Sequence, residues 1–414
     1  MRVQLTRLGC RARESLVVVV VGGIATFGGS ARGQGAPSQP RSASANHDVV
    51  VRGSAETTAY ADTDHVTVFT PNVAVSAENP LQGWKIGGSY LVDVISAASV
   101  DIVSTASRRW QEVRQAGTAA ASYARGDVTV RATGALSSEP DYHADAIGGD
   151  VSLDLDQKNV TPFFGYAYGH DLIGRAGTSF DVYSHTVSKN RFTAGVNFVM
   201  NRSTLISIIG DSYFERGDSS KPYRYIPLFD PAVAAALPRG ASIDEVNAKR
   251  RPERPLEQLP LARDRYAMSF RLARRFDAST LRVDERLYAD TWGLKAVTLD
   301  VRDILDLSRR WTLGPHLRWH GQGAVDFWRR AYTVTSAVDG STVPRLRTGD
   351  RELGPLWTTT VGSELGWALG PSDDLSAWTL RLVADWMHSR YLDDLYVTSR
   401  DAGFTALSLD GVFQ

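Results

Sequence analysis

Seven arginines in the second half of the chain, Arg265, Arg271, Arg282, Arg286, Arg302, Arg318 and Arg381, occupy polar positions that alternate with apolar ones. Three aspartates, Asp150, Asp154 and Asp156, do the same in an early segment. On the strands of a closed ring these two groups would face each other across water. Opposed basic and acidic walls set up a transverse field, which selects polar solutes in a pore. Pairing of the arginines with Asp284, Asp300 and Asp385 would instead fill the lumen with local salt bridges, and the sequence leaves both readings open.

A second group carries only oxygen donors. Asp93, Asp101 and Glu112 lie in or beside a loop of small residues over 96–107, and Asp290, Asp393 and Asp394 are expected near the same external rim. Carboxylates from several loops are what Ca²⁺ prefers. A solvated acidic rim, or one bridged by the counterions of lipopolysaccharide, is the plainer expectation, so no cofactor is expected and Ca²⁺ is the single candidate. The pairs Asp64-His65 and Asp393-Asp394 would make a hydrolase only if they converged within hydrogen-bond reach. Adjacent aspartates are common in loops, and no enzyme is expected. His316 and His320 share a strand face about 13 Å apart, too far for one metal. The chain has a single cysteine, Cys10, which excludes multi-thiolate centres and disulfide frameworks. Neither a Gly-rich phosphate loop nor a nucleophile elbow is present.

What must position these groups is a set of strands, because the dominant period after residue 48 is two. Val151, Leu153 and Leu155 alternate with Asp150, Ser152, Asp154 and Asp156; Trp378, Leu380, Leu382, Ala384 and Trp386 alternate with Thr379, Arg381, Val383 and Asp385. Segments of about ten residues, apolar on one face and polar on the other, suit a transmembrane barrel with lipid outside and water inside. The pairs Trp311/Trp319, Trp357/Trp367 and Trp378/Trp386 are separated by even numbers, so both members share a face. Eight residues on a tilted strand cover roughly 20 Å of membrane normal, which places one indole of each pair at each interface. Seven short polar turns (78–83, 125–127, 156–159, 201–203, 276–279, 306–310 and 370–374) suit the tight periplasmic rim of such a barrel. The expectation is an all-β, antiparallel transmembrane barrel over 49–414, with about sixteen strands and both termini periplasmic. The strands read as 50–60, 65–77, 82–94, 113–124, 128–138, 146–156, 160–170, 190–200, 203–214, 264–275, 279–290, 295–304, 311–322, 356–368, 375–388 and 403–413. Pro71, Pro162 and Pro315 fall inside three of them, where bulges are expected. Longer connections are 96–112, 171–189, 215–263, 323–355 and 389–402. The segment 215–263 holds seven of the 17 prolines and a short helical stretch over 244–250, and it is either an external flap or a constriction of the lumen.

Ahead of the strands, Arg2, Arg7, Arg11 and Arg13 precede the apolar run 16–27 and the small residues 28–33, the three parts of a secretory signal. Residues 1–33 read as that signal and 34–48 as a periplasmic linker, too short for a separate plug domain. Removal of 1–33 takes away five Arg and one Glu from a chain of 46 basic and 46 acidic residues, leaving a net charge of −4. That balance gives no reason to expect nucleic acid as a partner.

Tyr90-Leu-Val-Asp93-Val-Ile-Ser-Ala-Ala-Ser-Val-Asp101-Ile-Val-Ser-Thr-Ala-Ser107 with Glu112-Val-Arg114, Asp290-Thr-Trp292-Gly293, and Arg318-Trp-His-Gly-Gln322-Gly-Ala-Val-Asp326-Phe resemble an uncharacterised Gram-negative outer-membrane barrel family, domain of unknown function thirty-five seventy. The resemblance spans about residues 50–414. It implies an outer-membrane location, lipid and lipopolysaccharide around the barrel, and a periplasmic lipoprotein as a partner. A terminal strand ending on Phe413 fits export through the barrel assembly machinery. The expected function is a porin-like channel for small polar solutes; the rivals are a plugged scaffold and a barrel enzyme.

Overall fold

The computed structural model describes residues 49–97, 110–334, 343–369 and 377–413. The leader, the linker and Asp101 lie outside these residues. The strands are β1 (Val50–Asp62), β2 (Val66–Asn79), β3 (Trp84–Ala97), β4 (Trp110–Arg125), β5 (Val128–Glu139), β6 (Tyr142–Leu153), β7 (Val160–Ile173), β8 (His185–Asn201), β9 (Thr204–Gly217), β10 (Leu228–Phe229), β11 (Ala262–Arg275), β12 (Ser279–Asp290), β13 (Lys295–Asp306), β14 (Trp311–Gln322), β15 (Tyr332–Thr333), β16 (Leu356–Leu369), β17 (Ala377–Tyr391) and β18 (Ser399–Phe413). Sixteen of them close an antiparallel barrel; β10 and β15 form a separate two-stranded sheet. The expected strands are all present, with their largest boundary shifts at β6, β8 and β18.

Closure is made by β1 and β18, which pair from Val51↔Phe413 to Asp62↔Ala402. The antiparallel ring puts both described ends and six of the seven short turns on one rim; the seventh, 370–374, lies outside the described residues. The long connections leave from the opposite rim. Strands of 12 to 17 residues exceed the 9–11 that a tilted strand needs to cross a bilayer. Their outward faces carry Val73, Val75, Leu136, Ile147, Leu317, Val361 and Leu382, all exposed. Each such side chain gains about 1.5–3 kcal/mol on leaving water, so this surface calls for lipid. None of the described helices is long and apolar enough to cross a membrane.

The indoles lie on that outward face. Trp311, Trp367 and Trp378 sit toward the rim of the short turns, where Trp311 and Trp367 stack with centroids 5.1 Å apart and Trp378 meets Phe413 edge-on at 5.3 Å. Trp319, Trp357 and Trp386 sit toward the loop rim, and the last two flank His388. Rings at both ends of the strands are what two lipid–water interfaces favour.

Two local expectations are corrected. The prolines produce no bulge: pairing lapses beside Pro71 and Pro315 and resumes in unchanged register, and the irregularity falls at Val199–Asn201 instead. Asp154 and Asp156 are not strand residues, because β6 ends at Leu153. Beyond it Asp156, Gln157 and Lys158 all have positive φ, a left-handed path that costs roughly 1–2 kcal/mol per residue without glycine. Thr161 Oγ1 donating to Asp154 Oδ1 at 2.9 Å helps to hold this turn. Gln157 is exposed, so Gln157→Gly is expected to raise the midpoint of urea unfolding; a lower midpoint would show that the glutamine side chain supports the turn.

Candidate functional site

The lumen is built from alternate residues of each strand, so its charges follow from register. Arg271 pairs with Asp284 at 3.3 Å, Arg286 with Asp211 at 3.0 Å, and Arg302 with Glu364 at 3.1 Å. Arg318 meets Asp300 at 3.5 Å, Arg265 meets Glu215 at 3.1 Å, and Arg381 lies between Asp410 and Glu364. Arg282 faces the lumen opposite Arg302. Asp150 pairs with Arg131 on the adjoining strand at 3.8 Å. The positive and negative groups are therefore interleaved around the wall, with carboxylates beside the guanidiniums on the adjoining strand or, for Arg286–Asp211 and Arg302–Glu364, on the next but one. His316 stands between Asp300 at 3.1 Å and Asp385 at 3.6 Å, and His320 bonds Thr298 and Gln322.

Burial changes with height. Around mid-barrel the side chains of Arg271 and Asp284 are 51% and 50% exposed, and those of Arg286, Arg318 and Arg381 are comparably open. Near the loop rim Arg263 and Asp290 are 5% and 0% exposed, and Arg114 with Asp93 is nearly as enclosed. Side chains that point inward and still meet solvent define a wet chamber; the buried ones mark where it is closed.

The closure is a cap made from the β9–β11 and β14–β16 connections. Pro231 opens helix α1 (Pro231–Ala236), where its missing N–H is no loss. Ser242 caps helix α2 (Ile243–Lys249) by accepting from the Glu245 N–H. Phe229, Ala234, Leu237, Ala241 and Val246 pack on Leu395 of the β17–β18 loop. Leu259, Val325, Trp328 and Leu353 pack on Trp292 and Leu294 of the β12–β13 turn. Leu228 in β10 and Phe229 pair in parallel with Tyr332 and Thr333. Burial pushes the Tyr332 phenol up to about 12, so it stays neutral, donating to the Phe327 carbonyl and accepting from the Thr348 N–H. Beside the cap, a cleft of about 810 Å³ is lined in part by Asp264, Thr291, Trp292, Asp326, Phe327 and Arg329.

The external-rim carboxylates have structural tasks. Asp290 accepts from Arg263 Nε at 2.8 Å and from the Trp292 and Leu294 N–H groups, which fixes the β12–β13 turn. Asp93 faces the lumen, bound to Arg114 at 2.6 Å and to Thr70. Glu112 is buried on the same wall and engaged. Asp394 accepts from the Tyr396 and Val397 N–H groups, and Asp393 meets Arg239 at 3.7 Å and Arg330 at 3.6 Å. No group of three His, Cys, Asp or Glu side chains with metal-site geometry occurs among the described residues. Asp64 is held by Arg351 at 2.6 Å; burial pushes its carboxyl up, and the guanidinium opposes that. His65 is exposed with φ 60°. Among the described residues neither bonds to Asp393 or Asp394, so the hydrolase constellation does not assemble. The Asp64–Arg351 pair, the contacts of Asp393 with Arg239 and Arg330, and the two-residue sheet went unread in the sequence, because their partners lie in connections with no periodicity.

These features define a class: a closed sixteen-stranded barrel of the outer-membrane type with a charged lumen and a capped mouth. Residues 42–379 match the model of the family described as Protein of unknown function (DUF3570), and the chain belongs to that family. No curated protein matches it. Similar solved structures include a bacterial polysaccharide outer membrane secretin, at 11% identity and TM-score 0.43 over 88% of this chain and 98% of that one. The outer membrane protein opdK from Pseudomonas aeruginosa follows at 8% and 0.40, over 88% and 99%. The siderophore receptor PirA from Acinetobacter baumannii stands at 11% and 0.38, with 81% of this chain covered. The chain spans about half the length of that receptor, 52%.

Proposed function

We propose that the protein is a channel for small polar solutes in the Gram-negative outer membrane, constricted at its loop-side mouth by 215–263 together with 323–334 and 343–355. The observation that carries this reading is the wet, charged chamber beneath the cap, with Arg271 and Asp284 half-exposed in its wall. A filled scaffold needs no solvated interior, and burying unpaired charge there would be costly. Interleaved pairs of both signs suit neutral or zwitterionic solutes better than ions of one sign. The solid apolar core of the cap favours a second reading, in which the barrel is a closed scaffold that works with a periplasmic lipoprotein.

Planar-bilayer recording of the refolded mature chain, with and without 218–261, tests the two. Low conductance in the intact protein and a much larger, weakly ion-selective conductance after deletion is expected. An intact protein that is silent while the deletion conducts would favour the closed scaffold. Silence in both, with the folded barrel verified by its resistance to SDS before heating, would overturn the channel.

A further inference from the structure

The cap is attached to the barrel by apolar clusters and by polar contacts. The apolar clusters described above fasten it to the β12–β13 turn and to the β17–β18 loop: Trp292, Leu294 and Leu395 are their barrel-side members. Its contacts with the β1–β2 and β5–β6 hairpins, on the arc of the ring that continues past β18, are polar. Tyr223 Oη donates to Asp141 Oδ2 in the β5–β6 turn at 2.7 Å. The next residue, Arg224, meets Asp350 at 3.2 Å and Glu257 at 3.1 Å. The residue after Asp350 is Arg351, whose guanidinium reaches Asp64 in the β1–β2 turn at 2.6 Å. Each link is thus one peptide step from the next, and the row runs from one hairpin to the other through the middle of the cap.

We propose that the row Asp141, Tyr223, Arg224, Asp350, Arg351 and Asp64 is a clasp that holds the loop-side mouth shut, and that its release opens the channel. This rests on the channel reading above and adds the place where the closure gives way. A buried ion pair is the right material for such a device. Desolvation offsets most of its attraction, so the intact pair adds little net stability, yet removing one partner strands a charge in a dry site and is strongly unfavourable. Arg351 and Asp64 are 1% and 8% exposed and Arg224 and Asp350 7% and 2%, so both pairs are in that regime. The apolar clusters contain none of these residues, so they can keep their packing when the row is broken. The strand ladder is untouched as well.

The test compares bilayer conductance of the full mature chain, its R351M variant, the exchanged pair D64R/R351D, and the 218–261 deletion. R351M is expected to raise the open fraction by about tenfold or more, and the exchanged pair to return it toward that of the parent. R351M behaving as the parent, while the deletion conducts, overturns the clasp and leaves the channel standing. A silent deletion overturns the channel itself. Should R351M fail to give an SDS-resistant barrel, Y223F serves: it removes the phenol's link to Asp141 and its acceptance from the Ala176 N–H, and an open fraction equal to the parent's overturns the clasp.

Discussion

Replacing Phe229 by alanine is expected to unfold the cap and leave the barrel closed. Phe229 is fully buried at the centre of the cluster that joins α1 and α2 to Leu395. Deleting a buried phenyl ring costs about 3–5 kcal/mol, the sum of lost transfer energy and the cavity left behind. The cap's other attachments are small clusters and buried ion pairs, the latter of little net worth. The barrel ladder shares no side chain with this cluster. Amide hydrogen exchange reads the outcome directly: 226–260 should lose protection while β1–β9 and β11–β14 keep theirs. Unchanged protection over 226–260 would show that the cap is held elsewhere.

The second large effect is expected at Asp290→Ala. The carboxylate is fully buried, and four donors converge on it: Arg263, Tyr288 and the N–H groups of Trp292 and Leu294. Removing one member of a buried ion pair costs about 3–5 kcal/mol, and each buried N–H left without an acceptor adds about 1–3 kcal/mol. Asp290→Asn keeps an acceptor oxygen for the turn and loses the charge that Arg263 needs, so it should fall between parent and alanine. The order of urea midpoints on refolding into vesicles checks this. If Asp290 served a cation instead, EDTA would lower the parent's midpoint toward that of the alanine variant; we expect no such shift.

Those two residues also mark what the sequence could and could not disclose. The strands were legible because a period of two with apolar residues on one face leaves few alternatives, and the even spacing of Trp311/Trp319 and Trp378/Trp386 fixed which face meets lipid. Boundaries failed where backbone chemistry overrode the pattern: Leu153 and Leu155 continue the alternation, but the left-handed path through Asp156, Gln157 and Lys158 has already ended the strand. Phe229 was unreadable as a core residue. It sits in a strand of two residues whose partner, Tyr332–Thr333, is about a hundred residues away. The helical stretch at 244–250 was visible through its spacing, and α2 lies within a residue of it.

Lumen chemistry divides along the same line. The inward direction of Arg271, Arg286 and Arg302 follows from alternation alone. Their partners do not, because Arg302–Glu364 and Arg286–Asp211 depend on the register of strands distant in sequence. A carboxylate in a turn, such as Asp290 or Asp394, looks the same in sequence whether it waits for a cation or already accepts from the backbone. Only the positions of the N–H groups distinguish the two.

The seam between β1 and β18 makes the order of events in folding a matter of chain length. Every other neighbouring pair in the ring can form from segments already close in sequence, whereas Val51 finds Phe413 only once the whole chain is present. Until then both strands expose a row of unpaired N–H and C=O groups, each costing several kcal/mol in hydrocarbon. A half-made ring is therefore tolerable in water and intolerable in the bilayer. Zippering of the seam and entry into lipid must go together, so 399–413 decide when 50–62 can leave water.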